Sequence, residues 1–289
     1  MVLAPAEWRA REAAHHARVD GLLAGHLARG RRGEKHPVED FLFTYYSHRP
    51  AQLRRWHPGA GVVLAGATER AGWRDHAEVD LDEGGRGVTV DVRAFATRKR
   101  ETLAHARALL AATASRPAQL GCFGLHEWAM VYRQSLDAVR HAAWPLRLGP
   151  TGTDAVVESH RIRCSHYDAY RFFTPAAAPR NAVRPTRADT VALEQPGCLH
   201  ATMDLYKWAY KLAPAVPSDL VVDAFELARD VRGLDMRASP YDLAALGYDP
   251  VRIETPEGRA EYVAAQRGFA ERGAGLRARL LDVLDQLAP

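Results

Sequence analysis

The chain has 289 residues, of which 47% are hydrophobic and 26% charged, and this composition is typical of a globular protein and excludes global disorder. The formal net charge is +4, and nearly all the positive charge is arginine, since the lysines are only Lys35, Lys99, Lys207 and Lys211. Arginine suits phosphate contacts, but an arginine-rich, lysine-poor chain is also typical of a GC-rich genome, so the charge is weak evidence for nucleic-acid binding.

The three cysteines, Cys122, Cys164 and Cys198, form no C-x-x-C pair, so we expect no disulfide framework and favour a reducing compartment. The N-terminal segment carries charges throughout and lacks the apolar run of a secretory signal. Because no apolar stretch of about 18 residues occurs, we expect neither a membrane-spanning helix nor a membrane partner. These features together predict a cytoplasmic protein.

Apolar spacing and capping signals predict the following helices in chain order. They cover 6–29, 37–56 with a break near Pro50, 97–114, 122–139, 165–173, 200–212, a segment from 218, a short segment after 239, and 256–287 with a kink near Gly273. Alternating segments at 79–81 and 88–92 flank a glycine-rich turn and predict a hairpin, near an apolar run at 62–64. A further strand is predicted at 156–163, and four prolines make 174–197 an irregular connection. The sum is a mainly helical α+β fold, a single domain over 1–289 with one small antiparallel sheet.

Each cysteine lies two or four positions before a histidine, and reactive side chains concentrate in these three segments. In the first segment, Glu127 follows His126 among apolar and aromatic residues. Burial there would raise the pKa of Glu127, as general acid–base catalysis requires. The structural alternative is a surface glutamate beside a core histidine.

The second segment contains His166-x-Asp168, which begins the two-histidine, one-carboxylate pattern of non-haem iron sites. The tripeptide alone is common. It equally fits a histidine that caps a helix and an aspartate that pairs with Arg171 three positions later.

In the third segment, helical spacing places His200, Asp204 and Trp208 on one face, with Lys207 and Lys211 beside it. A helix with this set of side chains favours a functional site. The alternative is an amphipathic helix whose solvated face pairs Asp204 with Lys207.

Two other regions suggest anion contacts. The loop 234–242, which contains Arg237, leads to a helix N-terminus, although a plain helix–helix connection explains it as well. Aromatic residues and arginines alternate over 45–56, as base stacking with phosphate contacts would use, or as a helix with one aromatic and one basic face would show. The chain contains no Walker loop, dinucleotide fingerprint, G-x-S-x-G or H-E-x-x-H motif.

Long segments of the chain resemble a bacterial family labelled 3-methyladenine DNA glycosylase. They are HPVEDFLFTYYSHRPAQLRRW at 36–56, GCFGLHEWAMVYR at 121–133, CSHYDAYRFFT at 164–174, EQPGCLHATMDLYKWAYKL at 194–212 and LDMRASPYDL at 234–243. The resemblance implies an N-glycosylase that acts on alkylated purines in DNA and needs no cofactor. Flipped-base chemistry needs carboxylates and aromatic rings, and the predicted catalytic residues are therefore Glu127, Asp204, His126 and His200. The predicted substrate-binding residues are Trp128, Tyr132, His166, Tyr167, Asp168, Tyr206, Lys207, Trp208, Lys211 and Arg237.

Two alternatives stay open at this point. One is a metal-dependent oxygenase or hydrolase that acts on a small molecule and holds iron or zinc, with cysteines as additional soft ligands. Its candidate ligands are His126, His166, Asp168, His200 and Asp204. The other is a non-catalytic module that binds a nucleotide or nucleic acid. Both site hypotheses require the three Cys–His segments to converge in the folded chain.

Overall fold

The computed structural model of the protein describes residues 1–82, 84–135 and 143–287. In this part of the chain there are eleven α-helices and one four-stranded sheet, which confirms the predicted mainly helical fold with one small sheet. None of the described helices combines the length and the apolar composition that crossing a lipid bilayer requires. The prediction of a single domain stays a prediction.

The helices include two, at Gly149–Ser159 and Thr190–Leu193, that were not predicted as helices. The helices are α1 (Pro5–Arg32), α2 (Phe41–Tyr45), α3 (Pro50–Arg54), α4 (Val92–Ala114), α5 (Leu125–Ala129), α6 (Gly149–Ser159), α7 (Tyr167–Tyr170), α8 (Thr190–Leu193), α9 (Leu199–Lys211), α10 (Ser218–Arg237) and α11 (Pro256–Gln286). Short 3₁₀ turns lie at Thr68–Arg70, Ala178–Arg180 and Ala244–Leu246.

The sheet contains β1 (Val2–Leu3), β2 (Val63–Ala65), β3 (His76–Asp80) and β4 (Arg86–Val90) in the order β1-β2-β4-β3. The predicted hairpin is the antiparallel pair β3–β4, and β2 also pairs antiparallel with β4. The pairing of β1 with β2 is parallel, so the sheet is mixed rather than purely antiparallel. Trp8 of α1 covers the sheet and donates its indole N–H to the carbonyl of Ala65 at 3.0 Å.

The main hydrophobic core lies where α9, α10 and α11 pack together. The apolar positions of α10 repeat at three and four residues, and the stripe Leu220, Ala224, Leu227 and Val231 is buried as this spacing predicts. Helix α9 is buried along almost its whole length and emerges only at Lys207, Tyr210 and Lys211. Polar residues on α9 are therefore held inside the core, which positions the candidate site.

Two predicted elements were wrong. Residues 156–159 of the predicted strand at 156–163 instead end α6, in which Thr153, Val156 and Val157 form a buried helical face, and Ile162 forms only an isolated bridge with Asn181. A short apolar run cannot distinguish a helix from a strand by its pattern alone. The helix at 122–139 is reduced to α5, because Phe123 and Gly124 adopt left-handed backbone angles (φ +48° and +69°) that an α-helix excludes. Residues 136–139 of that prediction lie outside the described residues.

Smaller differences concern where helices begin and end. The predicted helix at 37–56 is two single turns, α2 and α3, and the helix at 165–173 contains only the four residues of α7. Helix α4 begins at Val92, because the side chain of Asp91 accepts a hydrogen bond from Ala94 N and caps it. Helix α11 runs unbroken from Pro256 to Gln286.

Gly258 and Gly268, both in α11, offer a matched test of this packing. A Cβ on Gly258 would overlap the backbone carbonyl of Arg252, whereas a Cβ on Gly268 meets no atom within 4 Å. We expect Gly258→Ala to lower the free energy of unfolding by about 2–3 kcal/mol, because backbone atoms cannot move aside. Gly268→Ala should raise it by about 0.5–1 kcal/mol. Urea denaturation measures both, and equal effects would contradict the packing described.

Candidate functional site

The three Cys–His segments converge in the core, as both site hypotheses required. The ring centroid of His200 lies 4.5 Å from that of His126 and 5.2 Å from that of His166. All three imidazoles are at least nine-tenths buried. His200 therefore lies at the centre of a continuous row of imidazoles that three separate segments build.

His126 reaches the core because of the turn that precedes α5. Gly124 packs against α10 and α11, where an added Cβ would lie 3.4 Å from Cβ of Ala238. Phe123 is non-glycine in the left-handed region, a conformation that costs about 1–3 kcal/mol and is concentrated at functional sites. The indole N–H of Trp128 donates to the carbonyl of Ala238 at 2.8 Å and fixes α5 against the end of α10.

The remaining histidines and their carboxylate neighbours come from four further elements. His200 and Asp204 lie one turn apart on α9, and Asp235 faces them from α10. His166 is the residue before α7, and Glu194 is the residue after α8. The short helices α7 and α8 thus place His166 and Glu194 beside the side chains that the long helices α9 and α10 contribute.

The first group of donor atoms belongs to His126, His200 and Asp235. One donor atom from each lies within 4.8 Å of the other two, and all three side chains are buried. His126 Nε2 is 2.8 Å from Asp235 Oδ1, which is a buried ion-pair contact when His126 is protonated, although its angles lie outside ideal hydrogen-bond geometry. Buried polar atoms that approach without a hydrogen bond fit a site built for an ion.

The second group belongs to His166, Glu194 and Asp204, whose donor atoms lie within the same 4.8 Å limit. His166 Nε2 lies 3.4 Å from Glu194 Oε1 and 3.5 Å from Asp204 Oδ2. Two atoms that each lie roughly 2.0–2.2 Å from one ion, at about 90–110° to each other, are separated by about 2.8–3.6 Å. The close contacts in both groups fall within that range, so these residues fit a bound divalent ion.

The electrostatics of the two groups follow from burial and from their neighbours. Burial, together with the adjacent His126, lowers the pKa of His200 well below its usual value, so this imidazole is neutral and able to coordinate. Burial alone would lower the pKa of His126, but the charge of Asp235 outweighs it and raises that pKa. Burial raises the pKa of Glu194, with Asp204 adding to the effect.

Cations hold the other two carboxylates ionised. Burial would raise the pKa of Asp204, but Lys207 and His166 outweigh it and lower that pKa strongly. Tyr46 also donates its hydroxyl to Asp204 Oδ1 at 2.9 Å. Second-layer partners of this kind orient metal ligands and tune their basicity.

Asp235 has a comparable arrangement at the other end of the cluster. His126 and Arg232 outweigh the effect of burial and lower the pKa of Asp235 strongly. Arg232 donates from one nitrogen to Asp235 Oδ2 at 2.9 Å and to Glu127 Oε1 at 2.8 Å. Glu127, predicted as a catalytic carboxylate, is therefore the partner of Arg232 in a buried ion pair.

A cavity of about 450 Å³ lies next to the second group. Its walls include Tyr46 and Lys207, whose polar atoms both contact Asp204, and Asp168, whose carboxylate lies 4.0 Å from the Lys207 ammonium. Asp204 is thus one side chain away from a space large enough for a small molecule. Asp168, a predicted metal ligand, lies at this entrance and pairs with Arg171 at 3.2 Å.

The cysteines lie around the histidines, and neither group of ligands found in the described residues contains one. Cys122 Sγ is 3.8 Å from His126 Nδ1. Burial raises the pKa of the Cys164 thiol to about 12 and that of Cys198 well above its usual range. The two groups therefore present nitrogen and oxygen donors.

The predicted aromatic residues lie at different depths. Trp128, Tyr132 and Tyr206 are buried in the core, with the Tyr132 hydroxyl donating to Glu158 at 2.7 Å. Trp208 lies beneath two lysines, with the ammonium groups of Lys207 and Lys211 at 5.4 and 5.5 Å from its ring.

The other predicted substrate-binding residues lie on outer parts of the chain. Tyr167 lies in α7, where the guanidinium of Arg187 is 5.9 Å from its ring. Arg237 donates to the carbonyl of Asp249 at 2.8 Å and pairs with Glu261 at 3.1 Å, so it links the end of α10 to α11 and the loop before it.

The sequence reasoning missed Glu194 and Asp235, which complete the two groups. Asp235 follows the buried position Leu234 in the apolar pattern of α10, with Arg232 three residues earlier, and a charged i, i+3 pair beside an apolar stripe was a signal for it. Glu194 ends the irregular connection, and no spacing rule linked it to the histidines.

Comparisons of the chain with protein-family models, with curated proteins and with solved structures found no match.

The Arg232 ion pair generates a stability prediction. Arg232→Met would leave Glu127 and Asp235 buried without a cation, and we expect it to lower the free energy of unfolding by about 3–5 kcal/mol. Arg229→Met, on the exposed side of α10, is the matched control and should change it by less than about 1 kcal/mol. Urea denaturation measures both, and a loss for Arg232→Met no larger than the control's would contradict the assigned pairing.

Proposed function

We propose that the protein is a metal-dependent enzyme whose buried histidine–carboxylate groups hold divalent ions and act on a small molecule. The observation that carries the proposal is the pair of three-residue groups, in each of which three buried donor atoms lie within 4.8 Å of one another. Two of the closest atoms, His126 Nε2 and Asp235 Oδ1, lie 2.8 Å apart and have no hydrogen-bond partner other than each other among the described residues. A divalent ion held by these two atoms would replace the proton that they otherwise share.

The donor set favours iron over zinc. His126, His200 and Asp235 supply two imidazoles and one carboxylate, which is the ligand set of non-haem iron(II) sites. His166, Glu194 and Asp204 supply one imidazole and two carboxylates beside it. Neither group contains a cysteine, so the thiolate ligands that would favour zinc are missing from both. A bound ion would supply Lewis acidity or redox chemistry to a substrate held nearby.

The protein residues around the groups then have separable tasks. Tyr46 and Lys207 orient Asp204 from one side and line the cavity of about 450 Å³ from the other. Lys207 thereby presents a cation both to the Asp204 carboxylate and to any anionic group in the cavity. Arg232 holds Asp235 in place from the opposite end. Water is excluded from the imidazole row, which strengthens every electrostatic interaction within it.

The glycosylase activity implied by the resemblance remains a separate prediction. It assigns water activation to one of Glu127 and Asp204 and a supporting role to the other. In the structure both carboxylates are bound by cations, Arg232 and Lys207 respectively. In the metal proposal, the Lys207–Asp204 ion pair orients a ligand of the ion, and the Arg232–Glu127 ion pair neutralises a carboxylate near it. The two hypotheses differ in one requirement, because glycosylase chemistry needs no ion.

Elemental analysis of the purified protein tests the proposal. We expect close to stoichiometric iron after expression in iron-supplemented medium, and strongly reduced metal content in His200→Ala, whose ring lies between the other two histidines. The matched control is His105→Ala, since His105 is exposed on α4 and lies outside both groups. Second-layer changes are less severe, so Tyr46→Phe should weaken metal affinity by roughly 10–100-fold.

Three outcomes would contradict this assignment. They are the absence of any ion after reconstitution with iron or zinc, zinc as the only ion that binds, and equal metal content in the two histidine variants. Release of free base from methylated DNA by ion-free protein would instead support the glycosylase prediction.

A further inference from the structure

A second cavity, of about 390 Å³, adjoins the cavity beside Lys207 and shares the wall formed by Ser47, Tyr210 and Lys211 with it. No residue of the two histidine–carboxylate groups lines this second cavity. The charged residues of its lining are mostly positive. The lining contains one carboxylate and five cations: Asp75, Arg55, Arg74, Arg98, Lys99 and Lys211.

The single carboxylate is already engaged. Asp75 accepts hydrogen bonds from two nitrogens of Arg98, with Nε at 3.0 Å. Its backbone is left-handed at φ +64°, and its carbonyl accepts a hydrogen bond from Asp91 N at 2.9 Å, which fixes the turn. Asp75 therefore forms its ion pair with Arg98, and the cavity lining offers no second carboxylate for the other cations.

The four remaining cations have no close ion-pair partner among the described residues. Arg55, Arg74, Lys99 and Lys211 form no ion pair with any carboxylate in the described ranges 1–82, 84–135 and 143–287. Burial, with the charges of Arg98 and Arg74, lowers the pKa of Lys99. Burial and Lys207 lower the pKa of Lys211. Like charges held together in this way are stabilised by an anion between them.

A flat aromatic wall lies beside the cations. The ring of Trp73 has the Arg55 guanidinium at 5.3 Å and the Arg70 guanidinium at 4.9 Å. Arg70 is buried and pairs with Glu12 at 2.6 Å, so a fixed guanidinium supports the Trp73 ring. The ring of His57 lies 5.8 Å from that of Trp73, and its Nδ1 is buried without a hydrogen-bond partner among the described residues.

We propose that this cavity is a binding site for a small phosphate monoester, with the phosphate among Arg74, Lys99 and Lys211 and the organic group against Trp73. A dianion matches several unpaired cations better than a carboxylate does, and arginine and lysine together are the usual phosphate ligands. The volume of about 390 Å³ accommodates a compact ester. The inference is independent of the proposed ion, because the cavity and the histidine–carboxylate groups share no residue.

Titration calorimetry with phenyl phosphate and with inorganic phosphate tests the site. We expect saturable binding that weakens as salt rises, because exposed charge interactions are screened. Lys99→Met should raise the Kd for phenyl phosphate by roughly tenfold or more, since a charge-assisted contact is lost. Lys35→Met is the matched control, because Lys35 lies on the exposed loop between α1 and α2 and lines neither cavity. Its Kd should equal that of the parent.

Acetylation of lysines, read by mass spectrometry, provides a second measurement that needs no variant. Phenyl phosphate should protect Lys99 and Lys211 and leave Lys35 unprotected. Dimethyl phosphate, a diester with one negative charge, should bind at least several-fold more weakly, and equal binding would overturn the monoester assignment in favour of a phosphodiester site. No saturable binding of phenyl phosphate by the parent protein, or equal Kd values for the two lysine variants, would overturn the site itself.

Discussion

The rest of this structure depends on one constraint, which is that ionisable side chains are buried away from water at the centre of the core. Three imidazoles and three carboxylates lie buried there, where an isolated ionised group is strongly disfavoured. The protein places one cation at each end of the row, Arg232 beside Asp235 and Lys207 beside Asp204. Between them His200 stays neutral. The helices α5, α7, α8, α9 and α10 meet at this point because each contributes one or two of these groups or the turn that holds them.

The same arrangement connects the interior to the surface. Lys207 and Tyr46 contact Asp204 inside and line a cavity outside, and Lys211 extends that lining to the basic cavity next to it. A substrate with a phosphate in the basic cavity would therefore reach toward Lys207 and the second histidine–carboxylate group. The proposed ion and the proposed phosphate site are independent in their residues, but α9 gives them a common wall. This arrangement explains why α9 carries two of the four lysines of the chain beside buried acids.

Signals from neighbouring residues in the sequence predicted much of this structure, whereas features that depend on contacts between distant segments could not be predicted. Caps and apolar spacing located α1, α9, α10, α11 and the hairpin, since these depend on neighbours in sequence. The left-handed turn at Phe123 and the helix at 149–159 depended on tertiary packing, which overrides propensity. The histidines were found because each follows a cysteine closely. Glu194 and Asp235 were missed as ligands because only the folded chain brings them to His166 and His126, and no spacing in the sequence encodes that proximity.

X-ray absorption spectroscopy at the metal edge tests the central claim most directly, because it reports the atoms bound to an ion independently of activity. With the protein loaded with iron(II), we predict a first shell of nitrogen and oxygen at about 2.0–2.2 Å, with outer-shell scattering from imidazole rings and no sulfur at about 2.3 Å. That shell should lose imidazole scattering in His200→Ala. A shell with sulfur ligands, or one formed by water alone, would contradict the assignment of His126, His166, His200 and their carboxylates as a metal centre.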